Sequence, residues 1–225
     1  MFKIKFTAIL GSVAILFSSL TTPLMAGSLG IGITGIGAHL ETTGTETLKT
    51  TSVKTSAQED EQAAAVAGYV QYRFGDNGFV IGIDYMPGET SLGSSTTTKV
   101  DKLKSGDVTV VQSAKAVLTN HVTPYIETPA LGPMGLFFKV GYAHAEIITE
   151  ENLGTGSTYG NEDIFGPLVG FGFKGGSDQG IQLKFLFDYT DYDDASFVSG
   201  GTDVSSIIDA QSEVYAARFS VGYNF

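Results

Sequence analysis

Three histidines are the residues of this 225-residue chain best suited to acid–base chemistry: His39, His121 and His144. His144 and Glu146 are two residues apart, so on a β-strand they would project from the same face. A carboxylate beside an imidazole can orient a general base for a serine nucleophile. No serine lies two residues from His144, so a nucleophile would have to come from another strand. The spacing therefore predicts neither a catalytic site nor a metal site at these histidines.

Two glycine motifs match the GxGxxG pattern of dinucleotide-binding loops, at residues 30–35 and 170–175. That pattern binds a pyrophosphate only where a helix begins at the third glycine, because the helix N-terminus supplies the hydrogen-bond donors. The first match continues into further alternation and the second into a glycine-rich turn. We therefore expect glycine-rich strands at both places and no cofactor.

Acidic residues cluster in the segment DYTDYDD at residues 188–194, and further carboxylates occur at Glu150, Glu151, Glu162 and Asp163. Oxygen ligands of this kind suit Ca²⁺ or Mg²⁺, but the segment lacks the spacing of an EF-hand loop. The cluster is more typical of a solvated acidic rim. We therefore expect no metal site there.

The composition excludes several classes of protein. A net charge of −11 without basic clusters argues against a nucleic-acid partner, and the absence of cysteine excludes disulfides and thiolate metal sites.

Residues 1–26 combine a basic start, a short apolar core and a small final residue, which predicts a secretory signal peptide cleaved after Ala26. Residues 27–225 then form one domain, and none of their apolar runs is long enough for a transmembrane helix.

The chain ends in a twelve-residue alternation, VYAARFSVGYNF, with aromatic and apolar side chains on one face and small or polar ones on the other. Such period-two patterning predicts a β-strand. The pattern recurs, with varying regularity, in seven further segments: 28–40, 66–74, 79–85, 108–127, 136–147, 165–173 and 181–189. In the first of these the apolar face changes between Ile33 and Ile36, which predicts a β-bulge near Gly35.

The connections between these eight segments alternate in length. Short turns that contain glycine occupy 75–78, 129–135 and 175–180, and long polar stretches occupy 42–63, 90–107, 149–162 and 191–212. This alternation predicts an all-β fold, an eight-stranded antiparallel up-and-down transmembrane β-barrel with short periplasmic turns and four long extracellular loops. A capping box at Ser56 and Glu59 predicts one or two turns of helix within 56–67, in the first loop.

If the aromatic residues face lipid, the opposite face lines a lumen that is only wide enough for side chains. Five glycines on that face fit a narrow lumen: Gly82, Gly166, Gly170, Gly172 and Gly222. Seven charged residues share it: Arg73, Asp84, Lys115, Lys139, Lys184, Asp188 and Arg218. Buried charges require partners, so we expect Asp84 and Asp188 to pair with Lys184, Arg218 and neighbouring bases, which would plug the lumen. Because alternation is symmetric, a soluble lipocalin-type barrel with the apolar face inside is the alternative fold.

With these patterns the sequence resembles the small outer-membrane β-barrels of the opacity, OmpX and OmpA-transmembrane-domain type. The resemblance covers nearly all of residues 28–225, and its specific motif is the C-terminal RFSVGYNF. It implies that the barrel-assembly machinery recognises the last strand through Phe219, Val221, Gly222, Tyr223 and Phe225. It also implies a location in the outer membrane of a Gram-negative bacterium, in contact with lipid and lipopolysaccharide.

These features predict an envelope protein with a side-chain-filled lumen and a structural or surface-interaction role, and they predict no enzyme. Two other functions remain open at this stage. A narrow porin-like channel would pass ions or small hydrophobic solutes, and a lipid-modifying hydrolase would combine His144 with a serine from another strand. Any extracellular ligand would bind the polar loops, where function is usually carried in such a scaffold.

Overall fold

The computed structural model describes residues 27–48, 52–103, 106–152, 158–177, 179–200 and 206–225. The predicted signal peptide lies outside the described residues. The described chain forms ten strands: β1 (Gly27–Leu48), β2 (Lys54–Phe74), β3 (Val80–Met86), β4 (Thr90–Leu103), β5 (Gly106–Glu127), β6 (Leu136–Asn152), β7 (Glu162–Gly176), β8 (Gly180–Asp191), β9 (Ala195–Val198) and β10 (Ser206–Asn224). No helix within these ranges is long and apolar enough to cross a membrane.

The ten strands make a ring of eight, because two positions in the ring are each filled by two consecutive strands. β3 and β4 both pair with β5 and are separated by Pro87 and Gly88, where proline removes a backbone donor and Gly88 adopts a positive φ of 86°. β8 and β9 both pair with β10 in the same way. β1 pairs with β2 and with β10, which closes the ring. All these pairings are antiparallel, so the predicted eight-stranded barrel is confirmed.

Side chains alternate between the outside and the lumen along each strand. On β8, the outward residues Phe185 and Phe187 are 39% and 43% exposed. The inward residues Lys184 and Asp188 are 5% and 6% exposed. The other strands of the ring show the same alternation of exposed and buried side chains. The outside of the barrel therefore has a band of large apolar side chains. Soluble monomers rarely expose apolar patches of this extent, whereas a membrane-spanning barrel requires such a band. The alternative of a soluble barrel with its apolar face inside is therefore wrong.

The long polar stretches are largely extended β-hairpins and not irregular loops. β1 and β2 remain paired out to Thr47 opposite Lys54, and β4 pairs with β5 out to Leu103 opposite Gly106. The prediction of helical turns within 56–67 is wrong, because every residue of this segment has a partner on β1. Cross-strand pairing thus outweighs the helix propensity of the alanine-rich sequence.

A bulge exists, but not in the strand for which it was predicted. The register of β1 against both neighbours is continuous through Gly35, so the predicted bulge there is wrong, and Ile36 lies on the inward face, where it packs against a buried apolar cluster. One register shift occurs between β4 and β5 at Ser91–Gly93. A second occurs between β5 and β6, where Asn120 has a positive φ of 51°. The inward face of β5 therefore changes from even-numbered residues such as Leu118 to odd-numbered residues such as His121.

Candidate functional site in the barrel lumen

The lumen has two layers with different chemistry. We call the half next to the short turns the turn half and the half next to the long hairpins the hairpin half. The turn half contains a polar layer, whose buried charged or amide members are Gln71, Asp84, Glu127, Lys139, Gln182, Lys184, Asp188, Arg218 and Asn224. The hairpin half is filled mainly by apolar side chains. Strand alternation determines which side chains face the lumen, and their order along β1, β2 and β10 brings polar residues to one half and apolar residues to the other.

Arg218 and Asp188 form the ion pair at the boundary between the two layers. Arg218 Nε donates to Asp188 Oδ2 over 2.5 Å, and Arg218 Nη2 donates to Asp188 Oδ1 over 3.1 Å. The two residues lie on β10 and β8, which are neighbours in the sheet. Because the guanidinium is planar and engages both oxygens, the contact fixes the orientation of both side chains.

A second pair joins β3 to β6 across the lumen. Lys139 Nζ lies 2.5 Å from Asp84 Oδ2, and both residues are buried. The same ammonium group lies 3.8 Å from the centre of the Tyr125 ring, where the ring face adds a cation–π interaction. The predicted pairing of Asp84 with a base of the lumen set is thus made by Lys139, whereas Lys184 binds another carboxylate.

Glu127 organises the rest of the polar layer and was missed by the sequence analysis. Its carboxylate lies 2.7 Å from Lys184 Nζ and 3.4 Å from Lys174 Nζ, and it is 2% exposed. Lys184 also donates to Gln71 Oε1 over 2.5 Å, and Gln71 in turn donates to Gln182 over 2.9 Å. Glu127 shares its face with Tyr125 and could have been found by alternation, but the sequence did not show which face of β5 is inward.

Two residues of the predicted charged set stand apart from these pairs. Arg73 lies on the inward face of β2 near the short turns and is half-buried. Lys115 on β5 is exposed and pairs with Glu150 on β6 over 3.2 Å, at the ends of these strands away from the short turns. The prediction that Lys115 lines the lumen is wrong, because this residue precedes the bulge at Asn120 and odd-numbered residues on that side of the bulge do not face inward.

Glycine and tyrosine fill the turn half together. A Cβ on Gly82 would lie 2.5 Å from the Tyr125 ring, and a Cβ on Gly222 would collide with the Tyr69 hydroxyl and lie 2.7 Å from a backbone oxygen. The rings therefore occupy space that only glycine leaves free. A gap of about 10 Å³ remains among the side chains of the polar layer, which is close to the minimum volume for one water molecule.

The hairpin half contains a larger cavity of about 60 Å³ with a mainly apolar lining. Its walls include Ile36, Ala65, Leu118 and Val214, and Arg218 contributes to its floor. His121 and Tyr192 lie at its edge, with His121 Nε2 2.8 Å from the Tyr192 hydroxyl. Thr90 and Arg218 also line this cavity, so its lining contains four polar side chains among ten apolar ones.

Each of the remaining histidines lies close to one acidic side chain. His39 Nε2 lies 3.4 Å from Glu41, and His144 Nε2 lies 3.1 Å from Asp163, with His144 packed against the ring of Phe165 on the outside of the barrel. Among the described residues, no group of three histidine or acidic side chains is placed to hold a metal ion. The two GxGxxG matches lie within β1 and β7, so neither precedes a helix.

The acidic segment 188–194 is divided between the lumen and the outside. Asp188 and Tyr192 face inward and are buried, whereas Asp193 and Asp194 are exposed just before β9.

The residues of the predicted assembly signal alternate between the outside and the lumen. Phe219, Val221, Tyr223 and Phe225 are exposed on the outside, and Gly222 faces Tyr69 in the lumen. The aromatic residues of this predicted signal therefore lie on the outer surface of the barrel.

Solved structures share this geometry. No protein-family profile matches the sequence, and no curated protein matches it. The outer membrane protein OprG from Pseudomonas aeruginosa superposes with a TM-score of 0.51 at 12% identity, over 89% of this chain and 97% of OprG. The outer membrane protease OmpT from Escherichia coli superposes with a TM-score of 0.50 at 8% identity, over 88% of this chain and 97% of OmpT. At these identities the likeness concerns the fold, and this chain has the fold of outer-membrane β-barrel proteins.

Proposed function

We propose that this chain is an outer-membrane barrel with a closed lumen, and that it serves the bacterial envelope as a structural or surface-contact protein. The barrel fold and the outward apolar band support its insertion in the membrane. The polar layer is the observation that supports a closed lumen. In this layer three basic side chains bind three buried carboxylates: Arg218 binds Asp188, Lys139 binds Asp84, and Lys184 binds Glu127.

A closed lumen argues against free diffusion of ions. The gap of about 10 Å³ within the polar layer accommodates no continuous file of water, because a single water molecule already needs about that volume. Opening a path would require at least one ion pair to separate, and an unpaired charge in this surrounding is strongly unfavourable.

The paired hairpins provide the surface for contact. β1, β2 and β10 form one continuous sheet above the apolar layer, with Leu48 paired to Ser206 and Thr47 to Lys54. Such hairpins hold their shape because their backbone groups are paired. They can therefore present side chains to the surroundings, and the ligand that they contact would be extracellular.

Conductance in planar lipid bilayers tests the closed lumen. We expect the purified, folded barrel to insert without steady current steps in concentrated potassium chloride. Steady, voltage-independent openings of the unmodified barrel would support the narrow-channel function in place of the structural one.

A bacterial strain that lacks this protein tests the envelope role. We expect fewer of its cells to survive osmotic shock, and we expect survival to recover when the gene is supplied again.

The protease OmpT shares the fold, so hydrolysis is a further outcome to be measured. A histidine–carboxylate pair exists at His144 and Asp163, but it lies on the outer wall beside Phe165. Unchanged lipid A and unchanged peptide substrates after incubation with the folded barrel would agree with a non-enzymatic role.

A further inference from the structure

The cavity in the hairpin half goes beyond the proposed structural role, because a plugged barrel does not need it. Protein interiors are packed as closely as organic crystals and contain few voids larger than a water molecule. The turn half follows this rule, with a gap of about 10 Å³. The hairpin half, in contrast, keeps about 60 Å³ between its walls.

Small side chains keep this space open. The walls include Ala38 on β1, Ala63 and Ala65 on β2, and Ala216 on β10. Tyr69 and Tyr125, at comparable inward positions in the turn half, fill the lumen with rings. The inward positions of the hairpin half therefore leave a volume that larger apolar residues could have filled. Apolar cavity walls of this kind take up small apolar molecules.

A β-bulge brings a polar group to the edge of the same cavity. The register shift between Thr119 and Val122 and the positive φ of Asn120 turn His121 toward the lumen, and bulges commonly redirect a side chain beside a functional site. His121 is held by Tyr192 over 2.8 Å. A phenol both donates and accepts hydrogen bonds, so the Tyr192 hydroxyl retains the capacity to bind one further polar atom.

We propose that the hairpin half of the lumen binds a small neutral solute with an aliphatic body and at most one polar atom, such as ethanol or dimethyl sulfide. A cavity of about 150 Å³ holds benzene with its six non-hydrogen atoms, so this volume suits roughly two or three. A charged ligand does not fit, because Arg218 at the floor is already neutralised by Asp188 and an additional charge would be unpaired among mainly apolar side chains. The aliphatic part lies against the alanines and Leu118, and the polar atom lies toward Tyr192.

Xenon under pressure is the probe for the apolar volume, since its position in a crystal is given by its anomalous scattering. We expect a xenon site among Ala38, Ala65 and Leu118 in the unmodified barrel. Ala65→Leu should remove that site by filling it. Ala64→Leu is the matched control, because Ala64 neighbours Ala65 on β2 but is exposed on the outside, and it should keep the site.

A difference in gel migration between unheated and boiled samples shows that a variant is folded. If Ala65→Leu fails this check, Ala38→Leu takes its place as the cavity-filling variant. The absence of xenon from the lumen of the unmodified barrel would overturn the proposal. A lumen site that is unaffected by a cavity-filling leucine would also overturn it.

The polar end is tested with ethanol, by following the methyl signals of alanine in nuclear magnetic resonance spectra of the folded barrel. We expect the signals of Ala63 and Ala65 to shift and saturate, while the signal of the exposed Ala64 changes linearly with partition into detergent. Tyr192→Phe should raise the half-saturating concentration of ethanol about fivefold, the typical effect of one neutral hydrogen bond, and leave xenon binding unchanged. Shifts that do not saturate, or equal binding of ethanol by Tyr192→Phe, would contradict the assigned class of ligand.

Discussion

The guanidinium of Arg218 on β10 binds the carboxylate of Asp188 on β8 through two hydrogen bonds of 2.5 and 3.1 Å, with both side chains buried. Arg218 borders both the small gap of the polar layer and the larger apolar cavity. This pair therefore separates the two layers of the lumen. Its removal is expected to affect both the stability of the barrel and the closure of its lumen.

Asp188→Ala should lower the free energy of unfolding by about 3–5 kcal/mol, because it leaves Arg218 charged and unpaired in the lumen. Asp193→Ala is the control, since Asp193 is exposed just beyond the same strand, and it should change stability little. Urea unfolding of the barrel in detergent micelles measures both. The double variant Asp188→Leu with Arg218→Met should lose less than Asp188→Ala alone, since neither charge remains. Equal losses for Asp188→Ala and Asp193→Ala would mean that the pair does not stabilise the barrel.

Lys184→Ala combined with Glu127→Ala should open a path for ions, because it removes a buried ion pair from the polar layer. Lys174 then loses its contact with Glu127 but keeps its hydrogen bond to the Thr128 carbonyl. We expect current steps in planar bilayers where the unmodified barrel gives none. The exposed pair Lys115 and Glu150 provides the control, and its double alanine variant should remain silent. A silent Lys184/Glu127 variant that is folded would show that other side chains close the lumen.

Gly222→Ala and Gly37→Ala should change stability in opposite directions, although both glycines lie on paired strands. A Cβ at Gly222 meets Tyr69 and the backbone of β1, whereas a Cβ at Gly37 meets nothing within 4 Å. Overpacking at Gly222 should cost about 1–3 kcal/mol. Alanine at Gly37 should stabilise the strand by about 0.5–1 kcal/mol, because glycine is the more flexible residue in the unfolded chain. Unfolding in urea measures both changes, and an equal effect at the two positions would contradict the close contact with Tyr69.

The inward and outward faces of β8 and β10 could be predicted from the sequence, because alternation continues along them without a register shift. Phe185 and Phe219 are outside, and Lys184 and Arg218 are inside, as their alternation indicated. The same argument failed for β5, because one extra residue at Asn120 exchanges the two faces. Asparagine tolerates a positive φ better than most residues, but its presence alone does not require a bulge.

The partners within the lumen could not be predicted from the sequence. Lys184 and Glu127 belong to strands that are not neighbours, and their contact over 2.7 Å depends on the tilt and stagger that close the barrel. Alternation gives the face on which a charge lies but not the height at which it meets another charge. The apolar cavity likewise depends on how inward alanines of several strands come to the same level.

Fluorescence quenching by lipids with brominated acyl chains tests the central claim most directly. The chain contains no tryptophan, so a single substitution introduces one fluorophore at a chosen position. We predict strong quenching of Phe185→Trp in vesicles, because this side chain faces the acyl chains, and weak quenching of Tyr192→Trp, because this side chain lies inside the barrel. Weak quenching of Phe185→Trp together with strong quenching of Tyr192→Trp would contradict a barrel whose aromatic face is in lipid and whose charges are in the lumen.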